Sequence, residues 1–227
     1  MKKQIKFLLF ALCILLMVTT MVVMASAATD GATTKEDGHY YQVTDANGTT
    51  YYTGLQAALN AVENNGTITV LSDVTESAAI EFNREGIACT IDGDSHTLTL
   101  STTAAPVIKV SGASSTLKVE NAAIGAGVRK VFQVTGASAS VEIDGCSITA
   151  STGIYEVFEI TGTGAALTVV DSTVTNTSGD YIFSQTGANT ITVKGGAFTA
   201  KRFFKQNAGG GSEIGRASCR ERVLFLV

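Results

Sequence analysis

The chain has 227 residues, with 16 Lys and Arg against 20 Asp and Glu, for a formal charge of −4; it holds 23 Gly, one Pro and no Trp. That acidic, aromatic-poor balance excludes nucleic acid as a partner, because phosphate binding needs clustered Lys and Arg. It also excludes attraction to an anionic membrane surface.

Lys2, Lys3 and Lys6 form a basic start, Phe7 to Met24 is apolar, and Ala25-Ser26-Ala27 is a small-residue A-x-A site. This predicts a secretory signal over residues 1–27, with Ala25 and Ala27 at the cleavage site. The alternative is an uncleaved anchor, since the apolar stretch approaches spanning length. The A-x-A site and the polar Thr19-Thr20 favour cleavage, and the long core fits a bacterial signal. The expected location is therefore secreted or at the bacterial cell surface, with no membrane contact after cleavage.

Residues 28–38 are small and polar without a period and read as a flexible linker. Residues 39–66 read as a hairpin and one helix. His39 to Thr44 and Thr49 to Tyr52 flank Asn47-Gly48, a hairpin signal. Thr53 is the expected N-cap, with Gln56 three residues on as in a capping box. Leu55, Leu59 and Val62 share one helical face with Ala58 beside them, and Gly66 is the expected stop. A lone amphipathic helix before a stack of strands is expected to cover its open end. Sequons stand at Asn47, Asn65 and Asn176, and in so Thr-rich a chain they read as chance.

Residues 67–212 read as parallel β-helix coils. Thr116-Leu-Lys-Val-Glu-Asn121 recurs at Ser140, Ala166 and Thr190; Val107-Ile-Lys-Val-Ser-Gly112 recurs at Val131, Val157 and Ile182. Both series advance by roughly 24–26 residues per step, a solenoid period. Three inward columns follow: Ile91, Val119, Ile143, Val169 and Val193; Ile124, Ile148, Val174 and Phe198; and Ile108, Phe132, Phe158, Phe183 and Phe204. Period 2 places Lys118, Glu142, Thr168 and Thr192 outside. Gly93, Asn121, Gly145, Asp171 and Gly195 fill one turn column, all types that tolerate positive φ. Pro106 stands near a strand start, where a missing N–H costs least. Gln185 and Gln206 replace apolar residues at an inward position and must either satisfy their amides or mark an edge open to solvent.

Glu213 to Val223 back-translates, apart from its first base, to a common short-read sequencing adapter, so residues 213–227 are expected to be a translated artefact and the coils to be truncated near Ser212. Without the two ends, ten basic and eighteen acidic residues remain, formally −8. Of the four cysteines only Cys89 and Cys146 then remain, in different columns, and two free thiols are expected.

A leucine-rich repeat would need a Leu-x-x-Leu-x-Leu frame with helices, and a sandwich would need antiparallel hairpins. The expected fold is all-β: a three-faced right-handed parallel β-helix with an N-terminal β-hairpin and one capping α-helix. Tyr52 to Val62, Gly66 to Thr75 and Thr90-Ile-Asp-Gly-Asp-Ser-His-Thr-Leu98 resemble the N-terminal portion of bacterial secreted and cell-surface proteins with a pectin-lyase-like β-helix. The resemblance implies the fold over about Tyr40 to Ser212 and leaves the activity open, since that group includes lyases, hydrolases, adhesins and surface proteins.

A lyase site needs Ca²⁺-binding acids beside a base, and a hydrolase site needs two or three close carboxylates. The best acidic cluster is Asp92, Asp94 and His96, a candidate Ca²⁺ or sugar contact whose plainer reading is a turn. Asp144 and Asp171 read as turn or solvent-facing residues, Arg129-Lys130 and Lys201-Arg202 as solvated loop charges, and Tyr155 and Tyr181 as a faint hint of a sugar platform. No cofactor and no metal ligand set is expected. The residues favour a non-enzymatic, monomeric, adhesin-like stalk that meets host or cell-wall glycans or surface proteins. The alternatives are a polysaccharide lyase or hydrolase with its catalytic coils beyond Ser212, and a glycan-binding β-helix.

Overall fold

The computed structural model describes residues 30–102, 106–127, 130–151, 156–177 and 181–206, with Gln206 described by its backbone alone. The expected signal with Ala25 and Ala27, the expected adapter tail, and residues 207–212 of the expected coils lie outside the described residues.

The chain opens with a hairpin of β1 (Tyr41–Asp45) and β2 (Gly48–Tyr52), then helix α1 (Leu55–Ala61). Coil 1 is β3 (Gly66–Val70), β4 (Val74–Glu76) and β5 (Ile80–Phe82). Coil 2 is β6 (Ala88–Asp92), β7 (Thr97–Leu100) and β8 (Ile108–Val110). Coil 3 is β9 (Thr116–Glu120), β10 (Ala123–Ala126) and β11 (Phe132–Val134). Coil 4 is β12 (Ser140–Asp144), β13 (Ser147–Ala150) and β14 (Glu156–Ile160). Coil 5 is β15 (Ala166–Val170), β16 (Thr173–Asn176) and β17 (Tyr181–Gln185). Coil 6 is β18 (Thr190–Lys194), β19 (Ala197–Thr199) and β20 (Arg202–Gln206).

Each coil gives one strand to each of three parallel sheets, which makes a three-sheet β-helix. The first sheet is extended by the hairpin, β1 pairing antiparallel with β3. The expected inward columns are real. Ile68, Ile91, Val119, Ile143, Val169 and Val193 stand in register on the first sheet. Leu98, Ile124, Ile148, Val174 and Phe198 do so on the second, and Ile80, Ile108, Phe132, Phe158, Phe183 and Phe204 on the third. All but the members in coil 6 are buried. The Phe132, Phe158 and Phe183 rings stack at 5.6 and 5.3 Å between centroids, each pair adding about 0.5–1.5 kcal/mol beyond area burial. In coil 6 the pattern shifts: Phe203, not Phe204, meets Phe183 edge-on at 5.2 Å.

Helix α1 starts differently from expectation. Its N-cap is Gly54, and Thr53 instead bonds the Asp30 carboxylate through its N–H and hydroxyl. The Leu55 N–H is received by Glu76 Oε1 at 2.8 Å, and the same oxygen accepts the Tyr41 hydroxyl at 2.6 Å. A carboxylate at a helix N-terminus is favourable, and here it arrives from coil 1. Burial and this carboxylate push the Tyr41 phenol far above its ordinary range. Arg84 of coil 1 donates through Nη1 to the carbonyl of Val62, at the opposite helix end. The expected capping-box residue Gln56 turns to β5 instead: its Oε1 accepts the Glu81 N–H at 2.7 Å and its Nε2 donates to the Glu81 carbonyl at 2.9 Å. The helix thus covers the edge strand with a side-chain imitation of a neighbouring strand.

Gly66 is not the helix stop; it begins β3, and the positive φ belongs to Asn65 (63°). A Cβ at Gly66 would lie 2.6 Å from Val62 Cγ2, so the glycine serves close packing of helix on strand. The hairpin closes at Asp45 and Gly48, which puts Ala46-Asn47 in the loop. In the stretch expected as a flexible linker, Gly31 and Ala32 bond the Tyr51 carbonyl, and Ala32 forms an antiparallel bridge to Tyr51. Among the described residues no helix is long and apolar enough to cross a membrane.

Candidate functional site

The acidic cluster picked out by sequence lies in the one first-column turn that is longer than the rest. Later coils pass from the first to the second sheet through two residues, such as Asn121-Ala122 and Gly145-Cys146, whereas coil 2 uses Gly93 to His96. The extra pair Asp94-Ser95 takes the left-handed conformation, with φ of 45° and 67°. Gly93 itself does not have positive φ, against expectation. It must be glycine because a Cβ there would lie 2.5 Å from Ala122 Cα in the next coil. Asn121, Gly145, Asp171 and Gly195 do carry positive φ as expected.

Asp92 Oδ1 accepts the Asp94 N–H at 3.0 Å and the Asn121 Nδ2 donor at 3.2 Å. The first bond is an Asx turn; the second ties two coils together. His96 Nδ1 lies 3.6 Å from Asp73 Oδ1, and that oxygen also accepts the Thr97 N–H at 2.8 Å. The three candidates are therefore neighbours along one turn, but Asp92 is held by turn bonds and His96 leans to a carboxylate of coil 1. Among the described residues no group of three His, Cys, Asp or Glu side chains could hold a metal ion.

The first sheet's outer face carries an ion network around one cation. Lys118 Nζ lies 2.7 Å from Glu120, 3.1 Å from Asp144 and 3.4 Å from Glu142. Glu120 and Asp144 hold the Lys118 ammonium above its ordinary range. Asp92, Glu120 and Asp144 are successive members of one outward column, so the sequence's solvent-facing reading of Asp144 misses a partner. Asp171 is a turn residue as expected, and its Oδ1 lies 2.1 Å from where a Cβ of Gly195 would stand, so Gly195 makes room for it.

The third sheet's outer face is the richest in charge, and sequence reading found only its loops. Lys130, Glu156, Tyr181 and Arg202 precede its inward phenylalanines by two residues in successive coils; Glu156 pairs with Tyr181 and Tyr181 with Arg202. Glu81, Lys109, Gln133, Glu159, Ser184 and Lys205 form the next outward column. Lys130 Nζ reaches Glu159 at 2.7 Å and Glu156 at 3.6 Å, and Gln133 Nε2 donates to Glu159. Lys109 lies 3.0 Å from Glu81, and Ser111 Oγ donates to Glu81 at 2.6 Å. The Ser111 bond, then Lys109, hold the Glu81 carboxyl below its ordinary range. Tyr181 takes Arg202 Nη1 on its hydroxyl at 2.9 Å and stands in register beside Glu156. Tyr155 and Arg129 lie outside the described residues.

The second sheet presents an uncharged face. Thr75, Thr99, Gly125, Thr149, Thr175 and Thr199 are in register, beside Thr97, Ala123, Ser147, Thr173 and Ala197. The sequon at Asn176 falls at its inner corner, buried, with Nδ2 donating to the Tyr181 carbonyl at 2.9 Å.

Both coil cysteines are free and buried. Burial pushes the Cys89 thiol up to about 12 and also raises the Cys146 thiol, which leaves little thiolate for chemistry. No family of known proteins, no curated protein and no solved structure matches the chain. The geometry can hold coils in register through cross-coil ion pairs; among the described residues, Glu81, Glu156 and Glu159 on the third sheet are each engaged with a cation.

Proposed function

We propose that this chain is a non-catalytic β-helix of a bacterial secreted or cell-surface protein, right-handed and pectin-lyase-like, that acts as a monomeric, adhesin-like stalk. The observation that carries this reading is the use of charge in coils 1 to 4. Glu81 pairs with Lys109, Glu156 and Glu159 with Lys130, and Glu120, Glu142 and Asp144 with Lys118. Carboxylates fixed in this way act as lateral ties between coils, whereas a lyase or hydrolase needs an acid or base free to exchange a proton with substrate. A rod of stacked coils with short turns suits a spacer that holds a binding surface away from the cell.

The test is direct. The full-length protein is incubated with acidic and neutral polysaccharides, and unsaturated and reducing ends are counted. No release is expected; release above the level of a boiled control overturns the non-catalytic reading in favour of the lyase or hydrolase. Export is checked by N-terminal sequencing of the secreted form, expected to begin after Ala27.

A further inference from the structure

We infer that Asn47, at the tip of the β1–β2 hairpin, is a self-modification site: its side-chain amide is lost to water through a succinimide closed by the Gly48 nitrogen, while the fold protects the second Asn-Gly pair, Asn65-Gly66.

The dipeptide Asn-Gly occurs twice, at 47–48 and 65–66. Both asparagines are exposed, so solvent access does not separate them. In such a pair the glycine nitrogen can reach the side-chain carbonyl carbon of the asparagine, because no Cβ hinders the approach. The nitrogen bonds to Cγ, the Cγ–Nδ2 bond breaks, and ammonia leaves with the proton of the glycine N–H. Water then opens the imide. Attack at Cγ leaves aspartate; attack at the main-chain carbonyl leaves isoaspartate, with the chain rerouted through Cβ and Cγ. Water is the only co-reactant, and nothing is oxidised or reduced.

The two sites differ in what surrounds the glycine. Gly48 is exposed in the last pair of the hairpin ladder, with φ of 114°, and a Cβ there would meet nothing within 4 Å. Asn47 gives its N–H to Asp45 Oδ1 at 2.8 Å, and no hydrogen bond among the described residues restrains its side-chain amide. Gly66, by contrast, is buried, and its N–H donates to the Glu63 carbonyl at 2.9 Å, so the attacking nitrogen is already committed. A Cβ there would lie 2.6 Å from Val62 Cγ2 and 2.9 Å from Asp45 Cβ, which leaves the chain little room to swing toward the Asn65 side chain. The Asn65 N–H is tied as well, to the Ala88 carbonyl at 2.7 Å.

Reaction at Asn47 reaches beyond the loop. Asp45 holds Asn47 through Oδ1 and accepts the Glu63 N–H on Oδ2 at 3.0 Å, so one carboxylate joins the hairpin tip to the chain leaving α1. A new carboxylate two residues away repels it, and a rerouted main chain shifts Gly48 from its pairing with Asp45. The tie to Glu63 loosens, and the ladders between coils are not touched.

In the experiment the purified full chain is held at mildly alkaline pH and physiological temperature, sampled over days, digested at acid pH and mapped by mass spectrometry with fragmentation that tells isoaspartate from aspartate. The peptide with Asn47 is expected to convert, faster as the pH rises, because the attacking nitrogen must lose its proton. The peptide with Asn65 is expected to convert at least about tenfold more slowly, the factor that one committed hydrogen bond imposes on a rate. In denaturant the two sites should convert at comparable rates, because the dipeptide is the same. Exchange of the Glu63 amide should quicken in the aged parent and stay unchanged in aged Asn47→Gln, whose longer side chain closes an imide poorly. Comparable rates in the folded chain, faster conversion at Asn65, or a difference that persists in denaturant each overturns protection by the fold. An Asn47 amide that survives in the folded chain while it converts in denaturant overturns the site itself, and unchanged Glu63 exchange after conversion overturns the tie through Asp45.

Discussion

The side chain of Asn189 replaces a missing backbone donor at the carbonyl of Ile160. In three earlier coils two successive N–H groups converge on one carbonyl: Ser111 and Gly112 on Phe82, Thr135 and Gly136 on Val110, and Thr161 and Gly162 on Val134. Those turns carry five residues between strands, but the turn after β17 carries only Thr186 to Asn189. Thr186 still donates to Ile160, and the second donor is Asn189 Nδ2 at 3.2 Å, which also reaches the Thr186 carbonyl at 2.9 Å. The residue that aligns with Ser115, Ala139 and Ala165 is thus an asparagine because the shortened turn lost a donor.

Asn189→Ala should therefore destabilise the chain by about 1–2 kcal/mol, the loss of two buried amide bonds offset in part by release of the unpaired Oδ1. Inserting one glycine after Thr186 in the Asn189→Ala background should recover stability, because it restores the five-residue turn. Urea titrations of the single and double variants check this; no recovery would mean that Asn189 does not stand in for the backbone.

Close approach, not turn conformation, governs the Gly136 column. A Cβ on Gly136 would lie 2.3 Å from the Gly112 carbonyl oxygen, and one on Gly162 would lie 2.3 Å from that of Gly136. These atoms are backbone of the neighbouring coil and can yield only by spreading the stack. Gly136→Ala is expected to cost about 1–3 kcal/mol or more, whereas Gly125→Ala, with nothing within 4 Å, should stay within about 0.5 kcal/mol of the parent. Similar unfolding midpoints for the two variants would contradict the steric account.

The difference between what could and could not be read from sequence follows the range of the interactions. Val119, Ile143 and Val169 announce their column because alternation and the coil repeat are both local in form. The ends of α1 could not be read, because Glu76 and Arg84 reach it from 21 and 22 residues downstream. A local capping rule then chose Thr53, whose hydroxyl and N–H were taken by Asp30. The Asp92 turn was misread in part because Asp94-Ser95 breaks the count, so Gly93 inherited a positive φ that belongs to its neighbours. The charged face of the third sheet was hidden by its own chemistry: Lys130 looks like a loop charge until the register places Glu156 and Glu159 beside it.

The Glu81 carboxyl gives the outer face of the third sheet a pH signature. Its folded-state value lies below the ordinary one, through the Ser111 hydroxyl first and Lys109 second. The stabilisation is present above the unfolded-state value and is lost as the pH falls through the lower folded one. Ser111→Ala should move the Glu81 titration upward toward the ordinary carboxylate range and make acid unfolding begin at higher pH. Carboxyl carbon chemical shifts followed by NMR from neutral to acid pH check the first, and circular dichroism the second. An unmoved titration would show that Lys109 alone sets the value.

Glu76 ties the helix to the stack, and its removal leaves two donors behind. Its Oε1 serves the Leu55 N–H and the Tyr41 hydroxyl, from a side chain on the edge strand of the second sheet. Tyr41 and Leu55 are fully buried, so Glu76→Ala strands both groups and should cost about 2–3 kcal/mol. Glu76→Gln keeps a carbonyl oxygen and loses only the charge, so its cost should stay near 1 kcal/mol. Gln56→Ala removes the paired bonds to Glu81 and uncovers the edge of β5, so its distinctive result is faster exchange of the Glu81 amide and a greater tendency to self-associate. Exchange measured by mass spectrometry, with Leu55 and Glu81 followed separately, distinguishes the two ties. If Glu76→Ala and Glu76→Gln lose equal stability, the charge at the helix start, not the two orphaned donors, is what holds α1 in place.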